Sequence, residues 1–428
     1  MANTAPKVAE QERRELASIV DEKAQDLVDQ IKRSKHFIIF TGAGISTSAA
    51  IEVSHVDLGI PDFRGPEGAW TFRAQGRKRT EKTVSTLQAV PTKTHMALVE
   101  LQNRGILKYL VSQNCDGLHR KSGILPDLIL VDFRAVATYE KTVHDHRTGR
   151  KCAVCGGVLL DTIVNFGEYL PAEPLRLARE HARKADLCLA LGSSLTVPPA
   201  CTIPEAVGSK RKTKRGDGGR LVVCNLQSTP LDHLSELRVW AEADDLMARV
   251  MRKLGLEIPG FVLRRRLVVE VDSAAGSGQA RFQVSVRGID VDGTPATFLR
   301  SVRMEGNRRA AKAEPFAIPF RAEAEGRMEV KLELEFMGHY GEPNLEIVQE
   351  YGGEGKLEAA YLLEYDPSDG EWRVGKLDGE VPIESGGDLA RDEEREDSLM
   401  ISAEEAGAPS HMLPSSDPSD IIDLTSSP

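Results

Sequence analysis

Features that would place this chain in a membrane or outside the cell are scarce in its sequence. No run of apolar residues approaches the roughly 20 that span a bilayer. The first 17 residues interleave acids and bases and hold no apolar stretch, so they do not predict a secretory signal. Only Cys152 and Cys155 of the six cysteines are closely spaced. This favours a reducing compartment and a metal site over a disulfide framework.

Basic residues are nearly missing from the end of the chain. Residues 381–428 contain 12 acidic and 2 basic side chains, which accounts for the whole net charge of −10. The rest of the chain is therefore neutral overall and can still present a basic surface. Serine, proline, glycine and acidic residues dominate this segment, so we predict that residues 381–428 are a disordered acidic tail.

The length of 428 residues exceeds what one hydrophobic core usually holds, so we expect two domains with extensions. Apolar positions at helical spacing, from Leu16 to Ile31, predict an amphipathic helix within residues 1–34. Short apolar runs alternate with helical patterns over residues 35–258, which predicts an α/β domain with a doubly wound, parallel, Rossmann-like sheet. The predicted strands are His36–Phe40, Ile106–Ser112, Asp186–Gly192 and Arg220–Asn225, and the clearest helices are Thr94–Gln102 and Pro174–Lys184.

A different pattern begins after Gly260. Ala280–Val286 and Met328–Phe336 alternate strictly between apolar and polar residues, which is the period of half-buried strands. Tyr365–Trp372 has the composition of a hairpin turn. These patterns predict that residues 262–380 form a small antiparallel β domain, a sandwich. The segment contains no motif that assigns a role to the domain.

The carboxyl ends of the predicted parallel strands run into small, polar loops, where ligands of such sheets bind. After the first strand, Gly42 and Gly44 could bring backbone N–H groups to a pyrophosphate, with Ser46 and Thr47 as hydroxyl donors. A Gly-Ala-Gly turn alone is as typical of a plain tight turn between a strand and a helix.

Six segments in a fixed order make the interpretation specific. They are Thr41–Ser46 (TGAGIS), Ile60–Gly65 (IPDFRG), Val111–His119 (VSQNCDGLH), Asn165–Glu168 (NFGE), Leu191–Leu195 (LGSSL) and Asn225–Gln227 (NLQ). Together they resemble the sirtuin family of NAD-dependent protein deacylases over about half the chain. The QNCDGLH form, the HRTGR stretch before Cys152 and the Thr-Pro after NLQ resemble the class IV, nuclear branch most.

The resemblance implies an NAD-dependent protein-lysine deacetylase that acts on nuclear proteins such as histones. The positions that would hold the NAD phosphates are Gly42, Ala43, Gly44 and Thr47. Those that would lie at the nicotinamide and its ribose are Phe63, Arg64, Trp70, Gln113, Asn114 and Asp116, with Asn114 and Asp116 supporting catalysis. Those that would hold the adenosine half are Gly192, Ser194, Asn225 and Gln227, and Ser193 and Ala243 are further cofactor-binding positions. In the family the acyl-lysine oxygen displaces nicotinamide, and a histidine general base activates a ribose hydroxyl.

The chain departs from the family between Lys121 and Arg134. Family members carry there an ELHG-type motif with the general base, followed by a first zinc Cys-x-x-Cys pair, and both are absent from this sequence. The catalytic base is therefore unknown. Cys152 and Cys155 would supply two of four zinc ligands in a reduced zinc module at about 133–165.

Histidines elsewhere do not obviously replace the missing groups. His144 and His146 could complete a Cys₂His₂ zinc set, but a solvated loop is the favoured interpretation. His119 matches a structural or ribose-neighbouring position, and His95 lies in a helical pattern where a surface or core role is expected.

A second departure is the insertion Ile51–Gly59, which leaves the placement of Phe63 and Arg64 open. Both departures have sharp edges with family-like sequence on each side. This favours a variant transcript or gene model over gradual divergence, and it keeps a second hypothesis open: a catalytically impaired NAD- or ADP-ribose-binding scaffold.

Two segments outside the core carry further signals. Lys210–Arg215 is a basic run that fits a nuclear localisation signal or, equally, a solvated loop. Asp420–Thr425 resembles the motif that binds small ubiquitin-like modifiers, in which Ile421, Ile422 and Leu424 would add a strand to the modifier's sheet. The class IV resemblance favours a nuclear protein; neither a membrane nor direct nucleic-acid binding is indicated.

Overall fold

The computed structural model describes residues 11–49, 71–72, 75–76, 89–125, 129–130, 146–151, 157–161, 163–164, 168, 170–210, 218–274, 281–290, 295–321, 327–338, 340–352 and 355–377. Several predicted features lie outside these residues: the insertion Ile51–Gly59, Phe63, Arg64, Trp70, His144, Cys152, Cys155, the basic run after Lys210, and the tail with Ile421, Ile422 and Leu424. Among the helices of the described part, none combines the length and apolar character that a membrane span requires.

A six-stranded parallel sheet forms the first half of the fold. Its strands are β1 (Phe37–Thr41), β2 (Leu107–Ser112), β3 (Ile129–Leu130), β6 (Leu187–Leu191), β7 (Arg220–Cys224) and β8 (Ser235–Val239). Between β3 and β6 in the chain, β4 (Arg147–Lys151) and β5 (Val158–Leu160) form a separate antiparallel pair. The order across the six-stranded sheet is β3-β2-β1-β6-β7-β8, and all neighbours are parallel. All five residues of β1 and all five of β6 are buried, as expected for strands covered on both faces.

Helices cover both faces of this sheet, so the predicted doubly wound α/β fold is confirmed. The helices are α1 (Ala17–Arg33), α2 (Lys93–Asn103), α3 (Leu118–Ser122), α4 (Ala172–Lys184), α5 (Thr202–Gly208) and α6 (Ala243–Leu254). Phe37 and Ile39 of β1 pack into one core with α1, α2 and α6. Ile38 and Phe40 face the opposite core with α4 and α5. The alternation follows from the two-residue period of a strand.

The predicted N-terminal helix starts later than its apolar pattern suggested. α1 begins at Ala17, and Leu16, counted as part of the apolar face, is extended and 71% exposed. The reason is that the preceding segment is held in extended form by neighbouring loops: the Arg13 N–H donates to the Leu226 carbonyl (2.8 Å) and the Glu15 N–H to the Trp240 carbonyl (2.9 Å).

Two antiparallel sheets form the second half and confirm the predicted sandwich. Their strands are β9 (Leu263–Ala274), β10 (Arg281–Ile289), β11 (Leu299–Met304), β12 (Ile318–Arg321), β13 (Met328–Phe336), β14 (Leu345–Tyr351), β15 (Leu357–Asp366) and β16 (Glu371–Leu377). The five-stranded sheet has the order β12-β10-β9-β15-β16, and the three-stranded sheet has the order β11-β13-β14. Side chains of both sheets, for example Val284 and Leu332, share one core. The domain boundaries at 258, 262 and 380 stay predictions.

Candidate functional site

A crevice is expected where the strand order of the parallel sheet reverses. β1 pairs with β2 on one side and with β6 on the other, and the helices that follow β1 and β6, α2 and α5, lie on opposite faces of the sheet. The register places Thr41 opposite both Ser112 and Leu191, and Leu191 opposite Cys224. The loops after β1, β2, β6 and β7, the four predicted from the sequence, therefore begin at one level along one edge.

Three glycines bring two of these loops into backbone contact. The Gly42 N–H donates to the Leu191 carbonyl (3.0 Å) and the Gly44 N–H to the Gly192 carbonyl (2.8 Å). A Cβ atom on Gly42 would lie 2.7 Å from the Gly192 carbonyl oxygen, and one on Gly192 would lie 2.6 Å from the Gly44 carbonyl carbon. Here the glycines permit close packing, with both N–H groups used inside the protein, and their role in holding NAD phosphates stays a prediction.

A buried polar network joins the loop after β1 to the loop after β2. The Ser46 hydroxyl donates to the Asp116 carboxylate (2.7 Å), whose other oxygen accepts the Leu118 N–H (3.0 Å). The Asn114 side-chain amide donates to the Gly42 carbonyl (3.1 Å) and to the Ser46 hydroxyl (3.3 Å). The structure thus brings the predicted pair Asn114 and Asp116 together. Ser46, expected as a phosphate donor, instead binds a carboxylate.

The loop after β6 orients Gln113. The Ser193 hydroxyl donates to the Gln113 side-chain oxygen (3.1 Å), and the Gln113 amide donates to the Val197 carbonyl (3.4 Å). Ser193 is buried and its hydroxyl is used by Gln113, whereas the half-buried Ser194 shares a hydrogen bond with Thr196 (2.9 Å). Their role in binding NAD stays a prediction.

Arg238, which the sequence interpretation missed, organises the loop after β7. Its guanidinium donates to the carbonyls of Asn225 (2.9 Å) and Gln227 (2.7 Å) and stacks on Trp240, 3.6 Å from the ring centroid. Burial lowers the pKa of Arg238, and the Asp232 carboxylate, 2.9 Å away, opposes this shift. The Asn225 amide donates to the Gln227 carbonyl (2.9 Å), which closes the loop on itself.

The segment after Gly44 is also attached to α6. The Thr47 hydroxyl donates to the Gly44 carbonyl (3.2 Å), and the Ser48 hydroxyl donates to the Asp244 carboxylate (2.6 Å). Ala243 precedes Asp244 as the first residue of α6, and its side chain is buried. This arrangement places the start of α6 at the same edge of the sheet as the glycine loops.

Two histidines lie buried at the back of this network. The His119 Nε2 hydrogen-bonds with the Thr41 hydroxyl (2.9 Å), while the His95 Nδ1 accepts the Thr92 N–H (3.2 Å) as part of a capping box. Their ring centroids are 4.8 Å apart. Burial lowers the pKa of each imidazole to about 3. Both rings are therefore neutral near pH 7 and are poor general bases there.

The described residues do not fit a structural zinc site. No group of three or more metal-ligating side chains occurs among them. Both ring nitrogens of His146 face carboxylates, Asp161 at 2.9 Å and Glu168 at 3.2 Å, and the hydrogen bond with Asp161 raises the pKa of the imidazole. His146 is thus ion-paired, which supports neither a zinc ligand nor a merely solvated side chain.

Comparisons with known proteins agree on one family. The model of the Sir2 family matches residues 75–199. The chain is 40% identical to NAD-dependent protein deacetylase SRT1 of Arabidopsis thaliana, over 61% of this chain and 55% of that protein. It is 37% identical to NAD-dependent protein deacetylase Sirt6 of Drosophila melanogaster, over 57% of this chain and 78% of that protein. It is 31% identical to an NAD-dependent protein deacetylase of Thermodesulfovibrio yellowstonii, over 54% of this chain and 94% of that protein. The chain therefore spans little more than half the length of the plant relative.

Proposed function

Because the chain belongs to the Sir2 family, the sirtuins, we propose that it is an NAD-dependent protein deacetylase of the class IV type that acts on acyl-lysine in nuclear proteins such as histones. The observation that carries the proposal is the convergence of four polar loops on the crevice between β1 and β6. A cradle that three glycines hold in backbone contact is suited to an extended, polar cofactor.

The crevice residues divide the cofactor between them. Asn225 and Gln227, ordered by Arg238, would hold the adenosine half, and the loop from Gly42 to Thr47 would lie along the phosphates. Gln113, Asn114 and Asp116 would surround the nicotinamide and its ribose. When bound, NAD supplies an electrophilic ribose carbon for the acyl-lysine oxygen. The protein's part is orientation: the side chains of Gln113, Asn114 and Asp116 are already held by hydrogen bonds with neighbouring loops, which lowers the entropy lost on binding.

Calorimetric titration with NAD, beside a deacetylation assay on an acetyl-lysine histone peptide, tests the proposal. We expect NAD to bind and nicotinamide release to depend on the peptide. Asp116→Asn should weaken both, because the Ser46 hydroxyl and the Leu118 N–H donate to different oxygens of the carboxylate, and an amide has only one acceptor oxygen and no charge. A wild-type chain that binds neither NAD nor ADP-ribose would disprove the assignment.

A catalytically impaired scaffold that binds NAD or ADP-ribose is the second candidate. It is favoured by the missing ELHG-type segment and by the burial of His95 and His119, whose pKa values of about 3 make them weak bases. Binding without turnover in the two measurements above would support this candidate. Turnover at neutral pH would rule it out and would mean that another residue acts as the base.

The proposed partner of the acidic tail is a small ubiquitin-like modifier. The support is the sequence Asp420–Thr425, an apolar strand former flanked by acids. A pull-down with the modifier should retain the wild-type chain and lose a variant in which Ile421, Ile422 and Leu424 are changed to Ala. Equal retention of the wild-type chain and the variant would disprove this proposal.

The class IV resemblance supports the proposed nuclear localisation, and the basic run is the segment proposed to carry the signal. The Lys210 ammonium donates to the carbonyls of Arg183 (2.8 Å) and Ala185, so it is bound within the fold and the signal would be carried by residues 211–215. A fluorescent fusion in which Arg211, Lys212, Lys214 and Arg215 are changed to Ala should leave the nucleus. Unchanged nuclear fluorescence would show that the run is only a surface loop.

A further inference from the structure

Tyr340 lies in the loop that connects β13 and β14 and leaves the sandwich to contact the parallel-sheet half. Gly338 (φ +75) and Gly341 (φ +71) flank it in left-handed conformations that glycine adopts without strain. Its ring packs against Phe261, with centroids 6.2 Å apart, and its hydroxyl donates to the Ala89 carbonyl at 3.0 Å. Burial raises the pKa of the Tyr340 phenol, so the hydroxyl keeps its proton as a donor.

Ala89 occupies the space between two cofactor loops. It is fully buried and forms a small apolar cluster with Ala49, at the end of the turn after β1, and Leu118, the residue of α3 at which the loop after β2 ends. The Leu118 N–H is the donor that holds Asp116. A displacement of Ala89 would therefore shift the loops after β1 and β2. Through Leu118 it would also shift the Asp116 carboxylate, which is proposed to lie at the nicotinamide end of the crevice.

The Ala89 carbonyl accepts a second hydrogen bond, from Lys121 of α3 at 3.2 Å. The Lys121 ammonium also lies 5.4 Å from the Tyr340 ring centroid, within the range of a cation–π interaction. A further ion pair joins α3 to the sandwich: Arg120 with Asp290, 3.7 Å apart. The sandwich thus contacts the helix that begins at the end of the QNCDGLH segment.

We propose that Tyr340, Ala89 and Lys121 form a brace through which the β-sandwich sets the affinity of the crevice for NAD. This inference rests on the proposed NAD binding. The brace keeps the loops after β1 and β2 in the conformation that the cofactor needs, so that they do not have to be ordered on binding. Tyr340 is a positioning residue, because it acts through Ala89 and not on the cofactor.

Tyr340→Phe in the full chain tests the brace, since it removes one hydroxyl and keeps the ring against Phe261. Loss of one hydrogen bond of about 1 kcal/mol should weaken NAD binding roughly 5-fold. It should also speed amide hydrogen exchange in residues 42–49 and 113–118. Tyr361→Phe is the matched control, because it deletes a hydroxyl that donates to Gln349 (2.6 Å) inside the sandwich.

The two variants should lose comparable stability in urea, but only Tyr340→Phe should change NAD affinity and exchange in the cofactor loops. Wild-type affinity and exchange in Tyr340→Phe, or equal changes in Tyr361→Phe, would overturn the brace. Hydrogen exchange separates the two proposals. If the wild-type chain binds neither NAD nor ADP-ribose, the proposed function fails. Exchange in residues 42–49 and 113–118 of Tyr340→Phe, compared with the wild type, still decides whether the brace exists.

Discussion

At Gly192, backbone conformation and close packing both exclude a side chain. Its φ is +58, and a Cβ would lie 2.6 Å from the Gly44 carbonyl carbon. Gly192→Ala should separate the loops after β1 and β6, weaken NAD binding by more than ~10-fold and lower the free energy of unfolding by about 2 kcal/mol. Calorimetric titration and urea unfolding measure the two effects.

Gly255 provides the control for this substitution. Its φ of +71 is similarly left-handed, but no atom lies within 4 Å of the position that a Cβ would take. Gly255→Ala should therefore lower stability by about 1 kcal/mol through backbone strain alone and leave the NAD affinity unchanged. A Gly192→Ala variant that binds NAD like Gly255→Ala would show that the loop contact does not shape the crevice.

Arg238 is a second position where one side chain determines the form of a loop. Arg238→Lys keeps the charge but cannot make the divergent hydrogen bonds to Asn225 and Gln227. We expect affinity for ADP-ribose to fall about 10-fold, since hydrogen bonds to a charged group contribute ~1.5–3 kcal/mol. Arg249→Lys is the control, because this arginine of α6 pairs with Asp245 and with Asp21 of α1, and the variant should bind ADP-ribose like the wild type. Equal affinities for both variants would contradict the role of Arg238.

At the scale of elements, apolar runs in the sequence predicted the central strands correctly because strands buried on both faces must be continuously apolar. β13 coincides with its predicted bounds because a half-buried strand alternates. β8 was not predicted, since Ser235–Val239 is a mostly half-buried edge strand without such a run. Arg238 was missed with it.

Contacts between distant segments were also beyond the sequence. The late start of α1 depends on hydrogen bonds from Arg13 and Glu15 to loops more than 200 residues later. The Tyr340 hydroxyl binds a carbonyl 251 positions before it. No local pattern encodes such pairs. In contrast, Gly42, Gln113, Asn114 and Asp116 directly follow predicted parallel strands, so the sequence alone predicted that they lie at one edge of the sheet.

The β4–β5 pair leads to a prediction about metal content. Its neighbouring histidine, His146, is bound by Asp161 and Glu168, and the sequence keeps two of four cysteine ligands. Protein purified without chelator should contain well under one zinc per chain by mass-spectrometric metal analysis. The double variant Cys152→Ser, Cys155→Ser sets the background. One zinc per wild-type chain, lost in the double variant, would contradict this expectation.

For the molecule as a whole, buried imidazoles make stability depend on pH. Burial lowers the pKa of His36 to about 4 and those of His95 and His119 to about 3, below the ordinary value near 6.5. Below pH 6.5 the unfolded chain binds protons that the folded chain does not. The free energy of unfolding should therefore fall between pH 6.5 and 4, by up to about 1.4 kcal/mol per pH unit for each such histidine.

Only one described histidine opposes this trend. The hydrogen bond with Asp161 raises the pKa of His146. Its ion pairs therefore stabilise the fold below the ordinary pKa of an imidazole, and this stabilisation is lost as the pH rises through the raised pKa. Urea unfolding at half-unit steps from pH 4.5 to 7.5 should show the net loss with acid. His36→Gln should reduce the slope, because one proton-binding group disappears from the unfolded chain. Stability that stays level or rises with acid would refute the assignment.

The pairing of β1 with β6 also has a consequence for how the chain is made. Phe37 is the partner of Leu187, so the centre of the sheet joins residues 150 positions apart. At roughly 5–20 residues per second, a ribosome needs about 8–30 s to advance from one to the other. During that interval the emerging first strand has only β2 beside it, and the Gly42–Gly192 contact cannot form. The crevice is thus a late product of translation, and a chain stalled before Gly192 would carry the glycine loop without a binding site.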